Sequence, residues 1–116
     1  MKNLVFCFDL DNVICKTKLN NYKNSKPIAV NIKYINQLFE KGFVIKIFTA
    51  RYMGRTNDNE TRARALAYKL TMNQLKKWNV KYNKLIFGKP SYDIFVDDKA
   101  FGFSKNWVKI LKKKYS

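Results

Sequence analysis

The order of apolar and amphipathic segments predicts an α/β sandwich with a mostly parallel sheet between helices. Three observations carry this. Short, strand-length apolar runs alternate with longer stretches whose apolar residues recur at helical spacing. The first run, close to the N-terminus, is almost continuously apolar, the pattern of a strand covered on both faces. Each run also stops abruptly at polar residues able to do chemistry, as expected where a parallel sheet presents its carboxyl edge.

Taken in order, Asn3 to Asp9 reads as the first strand. Leu10 to Pro27 is polar, rich in Asn and Lys, and reads as a long loop or flap. Ile28 to Lys41 places Ile28, Ile32, Ile35, Leu38 and Phe39 on one helical stripe, and Gly42 stops it. Phe43 to Phe48 is a second strand, ending at Thr49. Asn59 to Trp78 reads as a helix through Ala63, Leu66, Ala67, Leu70 and Leu75. Lys84 to Phe87 and Asp93 to Val96 are two further strands. Ser104 to Lys113 closes the series as a helix, with Ser104 as N-cap and Trp107, Val108 and Leu111 on one face.

The chain has 116 residues, enough for a single core and one domain, 1–116. Hydrophobic and aromatic contents of 47% and 16% are those of a globular protein. No signal peptide and no span-length apolar stretch is read, so a cytoplasmic protein without membrane contact is expected. Two cysteines, Cys7 and Cys15, are too few for a disulfide framework. The formal charge of +16 is mostly lysine scattered through every segment, which reads as compositional drift. Its field would still attract phosphorylated molecules. There is no histidine, which excludes Ser-His-Asp and Cys-His catalysis and any histidine metal ligand.

The residues that follow the four strands form a short list. They are Asp9 and Asp11; Thr49, Ala50 and Arg51; Gly88, Lys89 and Pro90; and Asp97 and Asp98. Singly, a strand-end Asp is most often a turn or helix cap. Together, four of the eight acids of the chain converge on one edge. Crowded carboxylates repel one another, so a cation is expected to compensate them. Oxygen ligands suit a hard cation, Mg²⁺ first, with Asp9, Asp11, Asp97 and Asp98 as its candidate ligands. Asp9 and Asp11 stand two apart and in extended chain would project to one side. One could then attack an electrophile while the other supplies a proton to the leaving group. Thr49 and the following N–H groups could bind phosphoryl oxygens, and Lys89 could balance the transferring charge.

In FDLDNV, IFTAR, GKP and IFVDD the chain resembles the haloacid dehalogenase superfamily of phosphohydrolases, across roughly residues 3 to 100 and in the family's order. The resemblance implies a Rossmann-like three-layer sandwich. It makes Asp9 the nucleophile that becomes an aspartyl-phosphate and Asp11 the general acid/base, which also lends its backbone carbonyl to Mg²⁺. Thr49 and Lys89 would hold the phosphoryl group, and Asp98, with Asp97, would serve the metal. Members often carry a cap domain, for which neither Asn12–Pro27 nor Tyr52–Gly88 has room, so a capless form is expected. An open site suits a macromolecular substrate or a homo-oligomer whose neighbour covers the cleft.

The loop ARYMGRTNDNE should overhang the site, with Ala50, Arg51 and Arg55 as substrate-binding candidates and Asn57 and Asn59 reading hydroxyls. The alternative is a solvated loop whose Asn57 or Asp58 caps the next helix. With FGKPSYD and VDDKA, this loop resembles small capless phosphatases of bacterial capsule or surface-polysaccharide biosynthesis, implying a sugar or polyol phosphate as substrate. A nucleic-acid 3′-phosphatase ranks behind it, since no aromatic platform is interleaved with the lysines. A non-catalytic phospho-accepting module with a receiver-like fold is the third reading, but such a module has no need of Asp11.

Overall fold

The computed structural model describes residues 4–94 and 96–115. Three parallel strands form its centre: β1 (Val5–Asp9), then β4 (Val44–Thr49) and β5 (Lys84–Phe87), in the order β1-β4-β5. Between β1 and β4 lie a short antiparallel pair, β2 (Cys15–Lys16) with β3 (Lys26–Pro27), and helix α1 (Ala29–Glu40). Helix α2 (Glu60–Lys77) joins β4 to β5, and α3 (Trp107–Tyr115) closes the described chain. This is the expected α/β, Rossmann-like architecture. No helix among the described residues is long and apolar enough to cross a membrane.

The register shows which side chains share a face. Phe6 and Phe8 of β1 align with Ile45 and Ile47 of β4, and Ile47 aligns with Leu85 of β5. Against this face pack Ile32, Ile35 and Leu38 of α1, Leu75 of α2, and Trp107 and Leu111 of α3. Phe8 meets Trp107 at a ring separation of 5.6 Å, and Phe6 meets Tyr115 at 5.4 Å. Burying each large apolar side chain here stabilises the fold by roughly 1.5–3 kcal/mol. The opposite face, with Val5, Cys7, Val44, Lys46, Phe48 and Ile86, is only half covered.

Two sequence expectations are corrected here. The first strand is not covered on both faces, for Val5 is 57% exposed and Cys7 lies open rather than inside the core. The expected fourth strand at Asp93–Val96 is also not formed among the described residues, and Phe95 lies outside them. Ile94 and Val96 are 83% and 90% exposed, so neither of these two residues is buried by a strand partner.

Helix ends follow local chemistry. Asn59 caps α2, its side-chain oxygen accepting the Arg62 N–H at 3.0 Å, so the cap is neither Asn57 nor Asp58. Gly42 takes φ +91°, the left-handed turn that ends α1 with little steric cost. Helix α3 begins at Trp107 rather than Ser104, whose carbonyl accepts the Trp107 N–H at 3.1 Å.

Candidate active site

Parallel pairing brings three chain segments to one edge of the sheet. Asp9 ends β1, Thr49 ends β4, and Gly88–Lys89 follow β5. The Lys89 N–H donates to the Thr49 carbonyl at 3.1 Å, extending the β4–β5 pairing one step past the strand. Gly88 makes the turn possible. It adopts φ +93°, and a β-carbon there would fall 2.6 Å from Cγ of Glu60.

This turn delivers the Lys89 ammonium to Asp9, with Nζ 3.1 Å from Oδ2. The Lys89 side chain is largely buried, whereas that of Asp9 keeps 38% of its surface in solvent. Asp9 Oδ1 accepts the Leu10 N–H at 2.9 Å, which fixes the carboxylate rotamer. Burial pushes the Asp9 carboxyl above its ordinary value, and the charge of Asp11 adds to this. The charge and hydrogen bond of Lys89, with the Leu10 N–H, act the other way. Burial alone would lower the Lys89 ammonium. Its hydrogen bond to Tyr92, together with Asp9, more than offsets that and raises it. The result is a carboxylate that is solvent-accessible, oriented and backed by one cation.

Asp11 has a different setting. The chain turns immediately after β1, with the Ile14 N–H bonded to the Leu10 carbonyl at 2.9 Å. The β4 pairing nevertheless runs through Leu10, whose N–H donates to the Phe48 carbonyl at 3.2 Å. Asp11 receives the fork of Arg51, with Nε at 3.0 and 3.2 Å from its two oxygens and Nη2 at 2.9 Å. The Thr17 hydroxyl donates to it at 2.5 Å and the Cys15 thiol at 3.6 Å. Burial pushes that thiol up to about 11, so it stays protonated and serves as a donor.

Arg51 was expected to grip an anion on the substrate, and that expectation is corrected. Its side chain has no solvent exposure, and its Nη1 donates to Thr71 at 3.2 Å and Gln74 at 2.5 Å. The sequence offered a signal for this. Thr71 and Gln74 lie on the buried stripe of α2 with Ala63, Ala67 and Leu75, whereas Leu66 is 49% exposed. Polar residues in a buried stripe require a buried polar partner.

Thr49 stands where expected, but its side chain is buried and its hydroxyl accepts the Arg51 N–H at 3.1 Å. Asp9 aligns with Phe48, so Asp9 and Thr49 leave the sheet on opposite sides. Ala50 is half-buried and Arg55 is exposed, its guanidinium 4.7 Å from the Tyr52 ring centre. Asn59 is committed to its cap, and Asp58 accepts the Ser91 N–H at 3.2 Å. Asp97 and Asp98 are exposed, and Asp97 accepts the Lys99 N–H at 3.0 Å.

The carboxylates are thus not gathered as the sequence suggested. Among the described residues no three Asp, Glu, His or Cys side chains form a group able to hold a metal ion. Arg51 and Lys89 supply the charge compensation at Asp11 and Asp9 that had been assigned to a cation.

A cleft of about 1140 Å³ lies between flap residues Ser25–Pro27, α1 and the end of α2, and Asp9 is not among its lining residues. Lys26, Lys33, Lys41 and Lys77 rim it, around Ile32 and Trp78.

No family model matches this chain, and no curated protein matches it. Among solved structures, a crystallographic target protein from Vibrio cholerae is similar to it, with a TM-score of 0.78. The two share 23% sequence identity over 97% of this chain and 99% of that one. The likeness shows the α/β fold.

Proposed function

We propose that the chain is a capless phosphomonoesterase of the haloacid dehalogenase type that works through an aspartyl-phosphate on Asp9. The observation that carries this reading is the oriented, solvent-accessible Asp9 carboxylate with the Lys89 ammonium 3.1 Å from it at the carboxyl edge of a parallel sheet. An Asp9 oxygen attacks phosphorus, the bond from phosphorus to the ester oxygen breaks, and the leaving oxygen takes a proton. Water then attacks phosphorus, the bond to Asp9 breaks, and inorganic phosphate departs. Lys89 offsets charge on the nucleophile and on the phosphoryl oxygens as they approach. Asp11, whose side chain keeps 20% of its surface in solvent while Arg51 holds it, would be the acid/base. Mg²⁺ belongs to this proposal as an expected requirement of the activity. Asp9, Asp11, Asp98 and Asp97 are the residues that would hold it, and no step above is routed through the ion.

The substrate of this reading is a small sugar or polyol phosphate, of the kind used in surface-polysaccharide synthesis in the cytoplasm, with a neighbour in a homo-oligomer covering the open cleft. The exposed Arg55, packed on the half-buried Tyr52 ring, is the group of the overhanging loop that could meet it. A second reading, a nucleic-acid 3′-phosphatase, draws on the lysine-rimmed cleft and the charge of +16. A phosphatase screen with Mg²⁺ across aryl, sugar, polyol and 3′-phosphorylated oligonucleotide esters separates these readings. Preference for sugar or polyol phosphates is expected, preference for oligonucleotides would install the second reading, and no turnover of any ester would end both.

A further inference from the structure

We infer that Arg51 is a positioning residue, which orients Asp11 and ties the flap of residues 12–27 to it through a single guanidinium. The kinetic half rests on the phosphatase reading, and the flap half does not. All three guanidinium nitrogens have partners, drawn from three parts of the chain. Asp11 lies beyond β1, Ser25 lies in the flap with its hydroxyl 3.4 Å from Nη2, and Thr71 and Gln74 lie on α2. The Tyr22 ring, also in the flap, sits 5.0 Å from the guanidinium carbon.

These contacts close on themselves. Thr17 donates to Asp11 at 2.5 Å and is 2.6 Å from the Ser25 hydroxyl, which returns to Arg51. Gln74 accepts from Arg51 and, through Nε2, donates to the Tyr22 carbonyl at 2.7 Å. Asp11 and the flap therefore share one set of restraints. A buried cation is a costly filler, and an apolar side chain would fill the same volume without desolvating a charge. What the fork adds is a fixed plane for the Asp11 carboxylate, since its Nε and Nη2 engage it at three distances of 2.9–3.2 Å. Lysine has the charge but not the fork.

The test is Arg51→Lys in the full chain, read by steady-state kinetics on an aryl phosphate and by hydrogen exchange. A positioning role predicts kcat lower by about 10- to 100-fold with KM within about 3-fold. In an Asp11→Asn background the same substitution should cost no more than about 2-fold further, because its effect passes through Asp11. Amides of residues 12–27 should exchange at least about 10-fold faster while those of β4 stay protected. A raised KM at unchanged kcat, an undiminished loss in the Asp11→Asn background, or unchanged flap exchange would each overturn the assignment. If the wild-type chain hydrolyses no phosphomonoester, the phosphatase reading fails and flap exchange alone decides the role of Arg51. Should Arg51→Lys not fold, Gln74→Ala removes one Arg51 acceptor and one flap tie while leaving both charges in place. It should loosen the flap and lower kcat at constant KM, and a wild-type flap in that variant would count against the proposal.

Discussion

Replacing Asp11 by Asn should destabilise the protein as well as slow it, because Arg51 is fully buried behind it. At 2.9 Å and an effective dielectric of 20, the gross attraction of the pair is about 6 kcal/mol. Desolvation of Arg51 offsets much of this, so the pair itself contributes little net stability. Removing one partner is different, since it leaves the other charge buried and costs about 3–5 kcal/mol. Asparagine keeps one acceptor oxygen for Nε or Nη2, and the Asp11 side chain is itself 20% exposed, so the low end, about 3 kcal/mol, is expected. At roughly 1.5 kcal/mol per molar urea this moves the midpoint down by about 2 M. At about 4 °C per kcal/mol it lowers Tm by roughly 12 °C. Trp107 is buried in the core and reports unfolding by fluorescence. A midpoint within about 0.5 kcal/mol of wild type would refute the reasoning that Asp11 is what balances Arg51. The same measurement has a practical use, since lost turnover in Asp11→Asn means lost chemistry only in the fraction that remains folded.

Two further outcomes follow from the Asp9 edge. Burial holds the Asp9 carboxyl above its ordinary value and Lys89 pulls it back, so Lys89→Met should raise it further. Asp9 must be ionised to attack, so the acid limb of kcat/KM should move to higher pH in that variant; a limb that stays put or moves down would exclude Asp9 as the titrating group. Gly88→Ala combines a left-handed φ with a β-carbon 2.6 Å from Glu60 Cγ, and should cost about 2 kcal/mol or more by urea unfolding. Adding Glu60→Ala should recover the steric part and not the backbone part, whereas a wild-type midpoint for Gly88→Ala alone would show that the turn has another conformation open to it.

Most of the fold could be read because its elements are driven by periodicity. The stripe through Ile32, Ile35 and Leu38 specified the buried face of α1, and Ile45 and Ile47 that of β4, since each contacts the core at the period of its own backbone. Apolarity alone misled in two places. Val5 and Cys7 look like core residues, yet the layer that would cover their face is not formed by the described chain. Ile94 and Val96 look like a strand, but a strand also requires a free edge brought alongside, which no local pattern encodes. In the candidate site, Asp9 and Lys89 were legible because chain order along a parallel sheet puts strand ends together. Arg51 was not, because its sequence neighbours place it over the site while its partners Thr71 and Gln74 are distant in sequence. Only their intrusion into the apolar stripe of α2 hinted at a buried charge.

The central claim is that Asp9 carries the phosphoryl group, and trapping the phosphoenzyme tests it most directly. The protein, mixed with its best substrate and Mg²⁺, is quenched in acid within one turnover and digested, and the peptide spanning Val5–Cys15 is weighed by mass spectrometry. One added phosphoryl group on Asp9, removed by hydroxylamine as an acyl phosphate must be and absent in Asp9→Asn, is the predicted result. Steady turnover with that peptide unmodified at every quench time, or with phosphate on another residue, would contradict it.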